Sequence, residues 1–381
     1  MGVSLSSKER HQIDSIERFI SGTLSRKDCA LFLNLSERSI SRIASQVRLE
    51  GITAILHGNK GQAPVNKSSS ELKSLAYQYA IGRYYDFNIL HMFEKLQLDI
   101  NLNISYSTFR KWCHEWNLVK RTRKHRKPNG HSHRQRHHNE GFMLQMDGCE
   151  HMFWKGETTV LIAAIDDATS DVPFGGFYKT EDTINCMDVV EKIIKIKGIP
   201  KYIYTDRAGW LGGTKRQDFT QFSRACEELG IEVICANSPQ AKGRIERLWG
   251  YLQDRLVAEM RLQKINNVED ANKFFNNYMQ TEWKNKHTVK PIKKESAYRQ
   301  VPEGLNLNEI FCMKYQRRVA LDHTISWRGE KFLIKNPPIN LSKKDVEIRF
   351  YKDHTSKVFF AGRALELEKV HKHSPYELNA A

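Results

Sequence analysis

The chain has 381 residues, more than one compact domain usually holds, so two to four units are expected. Sixty Lys and Arg against 44 Asp and Glu leave a formal charge of +16, which favours a polyanionic partner, nucleic acid first. The longest unbroken apolar run, residues 160–165, is far too short to span a bilayer, and no secretory signal is visible, so neither a membrane nor a secreted protein is expected.

The opening MGVSLS fits the N-myristoylation pattern, but that pattern is short and common by chance. Seven cysteines, odd in number and without any C-x-x-C pair, suggest neither a disulfide framework nor a zinc ribbon, and reduced intracellular thiols are expected.

Residues 25–50, "SRKDCALFLNLSERSISRIASQVRLE", contain two short helical patterns joined at Asn34-Leu35, with Ser36 placed to cap the second. Ala30, Leu31, Leu33, Leu35, Ile40, Ile43 and Ala44 are the expected apolar seam. Arg38, Ser39, Ser41, Arg42, Gln46 and Arg48 are left outward, and such side chains suit base edges and phosphates. The pattern outlines a helix-turn-helix DNA-binding domain over 1–65; a plain helical hairpin with a solvated face is the alternative. A second such unit is expected over 66–119, where "NILHMFEKLQLDI" and "SYSTFRKWCHEWNLV" give two amphipathic helices, the latter capped by Ser105 or Ser107. Phe109, Trp112 and Trp116 fit an ordinary packed helix equally well.

Between Lys120 and Arg136 lie eight Lys or Arg residues and no acid, with Pro128 and Gly130 breaking any helix, so 120–139 reads as an exposed basic linker. Lys120, Arg121, Arg123, Lys124, Arg126 and Lys127 are its candidate phosphate contacts. His131, His133, His137 and His138 lack cysteine partners and helical i,i+4 spacing, which favours solvated linker over a metal site.

Past the linker the period switches to strands. "FMLQMDGCEHMFW", "ETTVLIAAIDDAT" and "VPFGGFYKTE" predict an antiparallel meander. A crossover helix follows, with Ile184, Met187, Val190, Ile193 and Ile194 on one face and Gly198 at its end, and then strand "KYIYTD". Helix "FTQFSRACEELG", strand "IEVICANS" and a long helix in "NSPQAKGRIERLWGYLQDRL" complete the order β-β-β-α-β-α-β-α, a mixed sheet with helices on its faces over 140–290. On the last helix Ile245, Leu248, Trp249, Leu252, Leu256 and Met260 form the apolar stripe, with Glu246 at its border.

Three acids fall at strand or helix ends: Asp147 in the first strand, Asp206 at the end of the fourth, and Glu246 in the last helix's first turns. Adjacent first and fourth strands bring two of these carboxylates together. Converging carboxylates need cations, and hard oxygen ligands suit Mg²⁺ or Mn²⁺, two ions supporting in-line phosphoryl displacement. Lys242, Arg244 and Arg247 flank Glu246 and are candidate contacts to the phosphate backbone. With 44 acids in the chain, such spacing also arises by chance.

"LQMDG", "AAIDDAT", "YTD" and above all "NSPQAKGRIERLWGYLQDRL" resemble the DDE transposase and retroviral-integrase superfamily, most nearly the ISNCY-type insertion-sequence transposases. The resemblance spans about residues 20–350. It implies an RNase H-like core with Asp147, Asp206 and Glu246 as catalytic metal ligands, leaving out Asp166 and Asp167. Two departures stand out: the 39 residues between Asp206 and Glu246 exceed the commonest spacing, and "DRAGWLGGTKRQ" replaces the usual Asp-Asn-Gly. Gly209, Gly212 and Gly213 loosen that loop, and its Trp210 either stacks on an unpaired base or packs locally.

After helices ending near His287, short strands over 305–370 predict a small β-barrel, which contacts DNA or another protomer in the family resembled, or serves as a passive cap. The expected activity is that of a DNA transposase: it binds insertion-sequence ends on double-stranded DNA, cuts by metal-assisted hydrolysis and joins the 3′-hydroxyl to target DNA. It is expected to act as a homo-oligomer in a bacterial or archaeal cytoplasm, at the nucleoid. A nuclease of the same fold without strand transfer, and a DNA-binding regulator that has lost catalysis, are the alternatives.

Overall fold

The computed structural model describes residues 6–55, 68–119, 135–205, 216–235 and 243–370, and the side chains of all of these except 216–220. The chain divides into two compact units, Met1–Ala76 and Tyr77–Ala381.

In the first unit, helix α1 (Ser7–Ile20) opens with a capping box, Ser6 accepting from the Glu9 amide while Glu9 reaches back to the Ser6 amide. Helix α2 (Arg26–Leu33) ends at Asn34 in the left-handed region, and Ser36 caps α3 (Glu37–Glu50) as the sequence predicts. Ile16, Cys29, Ala30, Ile40 and Ala44 make the core. The predicted seam needs two corrections: Leu31 is 80% and Leu35 38% exposed. At about 100° per residue α2 turns Cys29, Ala30 and Leu33 onto one arc and Leu31 away from it, and α1, outside the two-helix pattern, supplies the missing wall through Ile16.

Helix α4 (Ser70–Ile81) crosses the division between the units. In the second unit, α5 (Ile89–Asp99) and α6 (Tyr106–Glu115) are capped by Asn88 and Ser105. A five-stranded mixed sheet follows in order β3-β2-β1-β4-β5, built from β1 (Met143–Trp154), β2 (Glu157–Asp166), β3 (Gly175–Tyr178), β4 (Tyr202–Thr205) and β5 (Glu232–Cys235). The first three strands form the predicted antiparallel meander, and β1–β4 and β4–β5 are parallel. Gly175 in β3 is required by packing: a Cβ there would meet Phe275 at 2.5 Å.

Helices α7 (Thr183–Lys197) and α8 (Arg216–Glu228) cover one face of the sheet; α9 (Gly243–Leu262) and α10 (Val268–Tyr278) cover the other. A π-helical turn, Met279–Trp283, leads into the short α11 (Lys284–His287). The whole predicted stripe on α9 is buried. Helix α7 is buried more widely than one face, and its Asp188 and Glu191 are buried too. The cause is the C-terminal region, whose Phe350, Met313 and Phe311 join the α7 core while Lys352 reaches Asp188 and Glu191, each at 3.1 Å.

That region is a nearly closed six-stranded antiparallel sheet in order β6-β9-β10-β11-β8-β7, preceded by α12 (Leu307–Ile310). Its strands are β6 (Met313–Arg318), β7 (Thr324–Trp327), β8 (Glu330–Lys335), β9 (Asp345–Phe350), β10 (Ser356–Phe360) and β11 (Arg363–Lys369). Val319, Ile325, Ile334, Val346, Ile348 and Val358 fill its interior.

Helix α5 is bolted to α9. Arg255 holds Glu94 at 2.7 Å, and the buried Glu259 takes His91 at 2.7 Å and Lys95 at 2.6 Å. Arg261 pairs with Asp86 at 2.7 Å. These pairs satisfy Arg255 and Glu259, polar residues that fall at the edge of and within the buried arc of α9.

Candidate active site

Alternation along β1 puts Gln145, Asp147 and Cys149 on the face that α9 covers. Each meets a successive turn of that helix. The Gln145 carboxamide oxygen accepts from the Ile245 amide at 3.4 Å, Asp147 Oδ2 accepts from Trp249 Nε1 at 3.2 Å, and Gln253 Nε2 donates to Cys149 Sγ at 3.2 Å. Two strand residues advance about 6.6 Å and four helical residues about 6 Å, so strand and helix stay in step.

Glu246 is exposed at the border of the stripe, next to Ile245 and three residues before Trp249, the spacing that makes helical neighbours. Asp147 is half-buried. The parallel pairing of β1 with β4 runs Met143–Tyr202, Leu144–Ile203, Gln145–Tyr204, which stops two residues before Asp147 on one strand and two before residue 206 on the other. Asp206 itself lies outside the described residues, as do the loop glycines 209, 212 and 213 and Trp210. Among the described residues no group of three or more His, Cys, Asp or Glu is placed to hold a metal ion.

The "IDDAT" acids have other work. Asp166 is buried and accepts from the amides of Gly141, Ala168 and Thr169 at 2.7 to 2.9 Å; burial pushes its pKa up, against the pull of those donors. Asp167, fully buried, takes Arg244 Nε and Gln145 Nε2 on Oδ1 at 2.8 and 2.9 Å, and the His137 amide on Oδ2 at 3.0 Å. Asp167 therefore ties the start of α9 to β1.

That tie changes the reading of Arg244. Its side chain is 13% exposed and its Nε is paired to Asp167, so it can meet a ligand only through its remaining nitrogens, whereas Arg247 is exposed. Lys242 and the linker cations Lys120, Arg121, Arg123, Lys124, Arg126 and Lys127 lie outside the described residues. The end of the predicted linker is anchored: Arg136 donates to Ser170 Oγ at 2.8 Å, and Asn139 to the Glu295 carbonyl at 2.8 Å. Arg38, Arg42 and Gln46 are exposed on α3, while the Ser39 hydroxyl is engaged with Ser36 at 2.8 Å.

Two contributors escape sequence reading. Period-two alternation does put Gln145 on the Asp147 face, but nothing marks it as the link to Asp167. Glu181 lies far along the chain, yet its carboxylate rests against Gly148, where a Cβ would meet Glu181 Oε2 at 2.4 Å. Gly148 turns to the face of β1 opposite Asp147, so Glu181 packs on the side that α7 covers, and a side chain at 148 would have to displace its carboxylate.

No family model matches the chain. It is similar to the putative transposase y4bF of Sinorhizobium fredii (strain NBRC 101917 / NGR234), 29% identical over 378 residues, covering 95% of this chain and 81% of that protein. With the transposase for insertion sequence IS1202 of Streptococcus pneumoniae it is 30% identical over 361 residues, covering 84% of this chain and 76% of that one. The chain belongs to the insertion-sequence transposases, within the DDE transposase and integrase superfamily.

Solved structures similar to this transposase include the simian T-cell lymphotropic virus intasome in complex with PP2A regulatory subunit B56 gamma, at 15% identity and a TM-score of 0.35, covering 78% of this chain and 99% of that one. The HTLV-2 integrase catalytic core in complex with magnesium is another, at 16% and 0.30, covering 37% and 86%. All seven cysteines of the transposase are free thiols. Among its described residues no helix is long and apolar enough to cross a membrane.

Proposed function

We propose that this transposase binds the ends of its insertion sequence through its N-terminal helices, with α3 as reader, and cuts and joins DNA on an RNase H-like core with Asp147, Asp206 and Glu246 as the catalytic set. The observation that carries the reading is the step-by-step match of α9 to β1. It fixes Asp147 under Trp249 and leaves Glu246 one turn away on the same border. The β1–β4 pairing, directed toward residues 147 and 206, supports the third member.

The donor set suits a hard divalent ion, Mg²⁺ or Mn²⁺: its oxygens are carboxylate oxygens, and Glu246 is exposed to receive an ion. Bound there, two such ions supply activation of the attacking oxygen and neutralisation of the leaving one. The protein's own residues do the positioning. Trp249 orients Asp147 through one oxygen, and the Asp167–Arg244 pair holds the first turn of α9 and hence Glu246. The half-exposed carboxylate edge faces solvent where a phosphodiester can approach.

The deciding experiment supplies the purified chain with labelled, pre-cut element ends, target plasmid and Mg²⁺. Joined strands are expected, and none with Glu246→Gln. Cutting of uncut ends without any joining would make the protein a nuclease; specific binding with neither reaction would make it a regulator.

A further inference from the structure

On the far side of α9 from the carboxylates lies a cavity of about 320 Å³, bounded by the start of that helix, the segment after β2 and α11. At about 100° per residue, Glu246 and Trp249 stand on one border of the buried stripe, and Arg244, Arg247 and Tyr251 on the other. Lys286, which also pairs with Glu94 and Glu282 at 3.1 and 2.9 Å, and Arg136 complete a wall of four cations, and no carboxylate is among the described lining residues. The rest of the lining is aromatic. Trp283 and His287 lie tilted at 4.3 Å, and Tyr251 meets both edge-on, with ring centroids 5.1 and 4.7 Å away.

Two buried nitrogens here have no hydrogen-bond partner among the described residues. One is Arg244 Nη2, on a guanidinium whose Nε is already spent on Asp167; the other is His287 Nε2. Buried donors and acceptors are nearly always paired, so their joint occurrence in one cationic, aromatic cavity points to an anion with a planar polar group attached. Burial, with Arg255 and Lys286 close by, holds His287 below its ordinary pKa, so the ring is neutral at pH 7 and its nitrogens suit the edge of a base.

We propose that this cavity takes one nucleotide of a DNA strand, its phosphate held by Arg244, Arg247 and Lys286 and its base set against Tyr251 and His287. The cavity's chemistry stands on these residues alone; that the nucleotide belongs to DNA rests on the transposase reading. A strand seated there would pass over the first turn of α9, leaving the carboxylate border to a neighbouring phosphodiester. Base–aromatic stacking tolerates any sequence, so the site grips strands irrespective of the base.

The test uses the full chain in EDTA, with a fluorescently labelled, 5′-phosphorylated thymidine trinucleotide followed by anisotropy. Thymidine 5′-monophosphate and 2-deoxyribose 5-phosphate serve as competitors. The trinucleotide should bind at least tenfold tighter than the mononucleotide, and the mononucleotide at least tenfold tighter than the sugar phosphate. Arg247→Ala, at an exposed position, should weaken trinucleotide binding at least fivefold with an unchanged melting temperature; Lys286→Ala, which also removes ion pairs to Glu94 and Glu282, should weaken it as much at a temperature where the variant is fully folded. Glu246→Gln should leave it within twofold. Equal binding of the sugar phosphate removes the base from the proposal, and a mononucleotide that binds as well as the trinucleotide makes the site one for free nucleotides; either overturns it. Loss of binding in Glu246→Gln, or none in Arg247→Ala and Lys286→Ala, places the strand elsewhere. Failure of Glu246→Gln to abolish cleavage would instead strike the catalytic assignment and leave this cavity untouched.

Discussion

Trp249 donates its indole N–H to Asp147 across 3.2 Å, and this one bond sets where a strand carboxylate points relative to a helix. Trp249→Phe keeps most of the buried ring and removes the donor. Stability should fall by only about 1–2 kcal/mol. Cleavage should fall about 10- to 100-fold, the usual cost of losing a group that orients a metal ligand. The Mg²⁺ concentration for half-maximal rate should rise with it, whereas a purely structural Trp would lower the amount of active protein and leave that midpoint where it was.

Glu246→Gln and Asp147→Asn test the carboxylates themselves. Glu246 is exposed in the first turn of α9, so losing its charge should cost about 0.3–1 kcal/mol through the helix dipole. Cleavage should drop below about one hundredth of the wild-type rate, a loss of more than about 2.7 kcal/mol in transition-state stabilisation. The double variant should be hardly worse than either single one, because the residues act as a unit. Gel-shift binding to element ends should persist in all three, and near-normal cleavage by folded Glu246→Gln would end the catalytic reading.

What the sequence made legible is what periodicity encodes. The meander, the α7 crossover, the α9 stripe and the caps at Ser36 and Ser105 all follow from local pattern, and they are as predicted. Burial by a distant segment is not local. Nothing near Leu31 reveals that α1 takes its place in the core, and nothing near Asp188 reveals that Lys352 will cover it. The same holds for polar groups. Asp167 and Arg244 are 77 residues apart, and only the fold makes them a pair, so no local pattern around Arg244 reveals that a buried acid fixes its guanidinium.

Asp167→Ala should therefore be far from neutral. It strands the Arg244 guanidinium, only 13% exposed, and also leaves Gln145 and the His137 amide without an acceptor. Removing one partner of a buried pair costs about 3–5 kcal/mol, so the melting temperature should fall by several degrees. Cleavage should fall too, because the first turn of α9 loses its tie to β1. Replacing both partners, as Asp167→Leu with Arg244→Met, should recover part of the stability; a double variant no more stable than Asp167→Ala would mean the pair is not what holds that turn.

The bolts between α5 and α9 make a pH prediction. Burial pushes Glu94 and Glu259 up, but hydrogen bonds from Arg255 and Lys286 to the first, and from His91 and Lys95 to the second, outweigh it and hold both below the ordinary 4.5. Folded-state values below the unfolded one mean stability that is present above about pH 4.5 and lost as pH falls through the depressed values. Hydrogen-exchange protection in α5, taken against the intrinsic rate at each pH, should fall below pH 4.5 before that of the β1 amides follows. Glu259→Gln should be less stable at neutral pH and should flatten this acid response; an unchanged response would assign it to other carboxylates.

The proposed reading of DNA by α3 would have a salt signature. Arg38 and Arg42 are exposed one helical turn apart, the spacing that lets two guanidiniums follow one strand of a groove. Each phosphate they neutralise releases condensed counterions and contributes about 0.9 to the steepness of log K against log salt. Arg38→Ala with Arg42→Ala in the full chain should make that slope shallower by about 1.8 if both sit on phosphates. If one of them reads a base edge instead, the slope changes by about 0.9 and the preference for element ends over random DNA falls by about 1–3 kcal/mol at that base pair. Both outcomes keep α3 on the DNA. An unchanged slope with an unchanged preference takes it off, and passes sequence recognition to α6, whose Arg110 and Lys111 are exposed in the same manner.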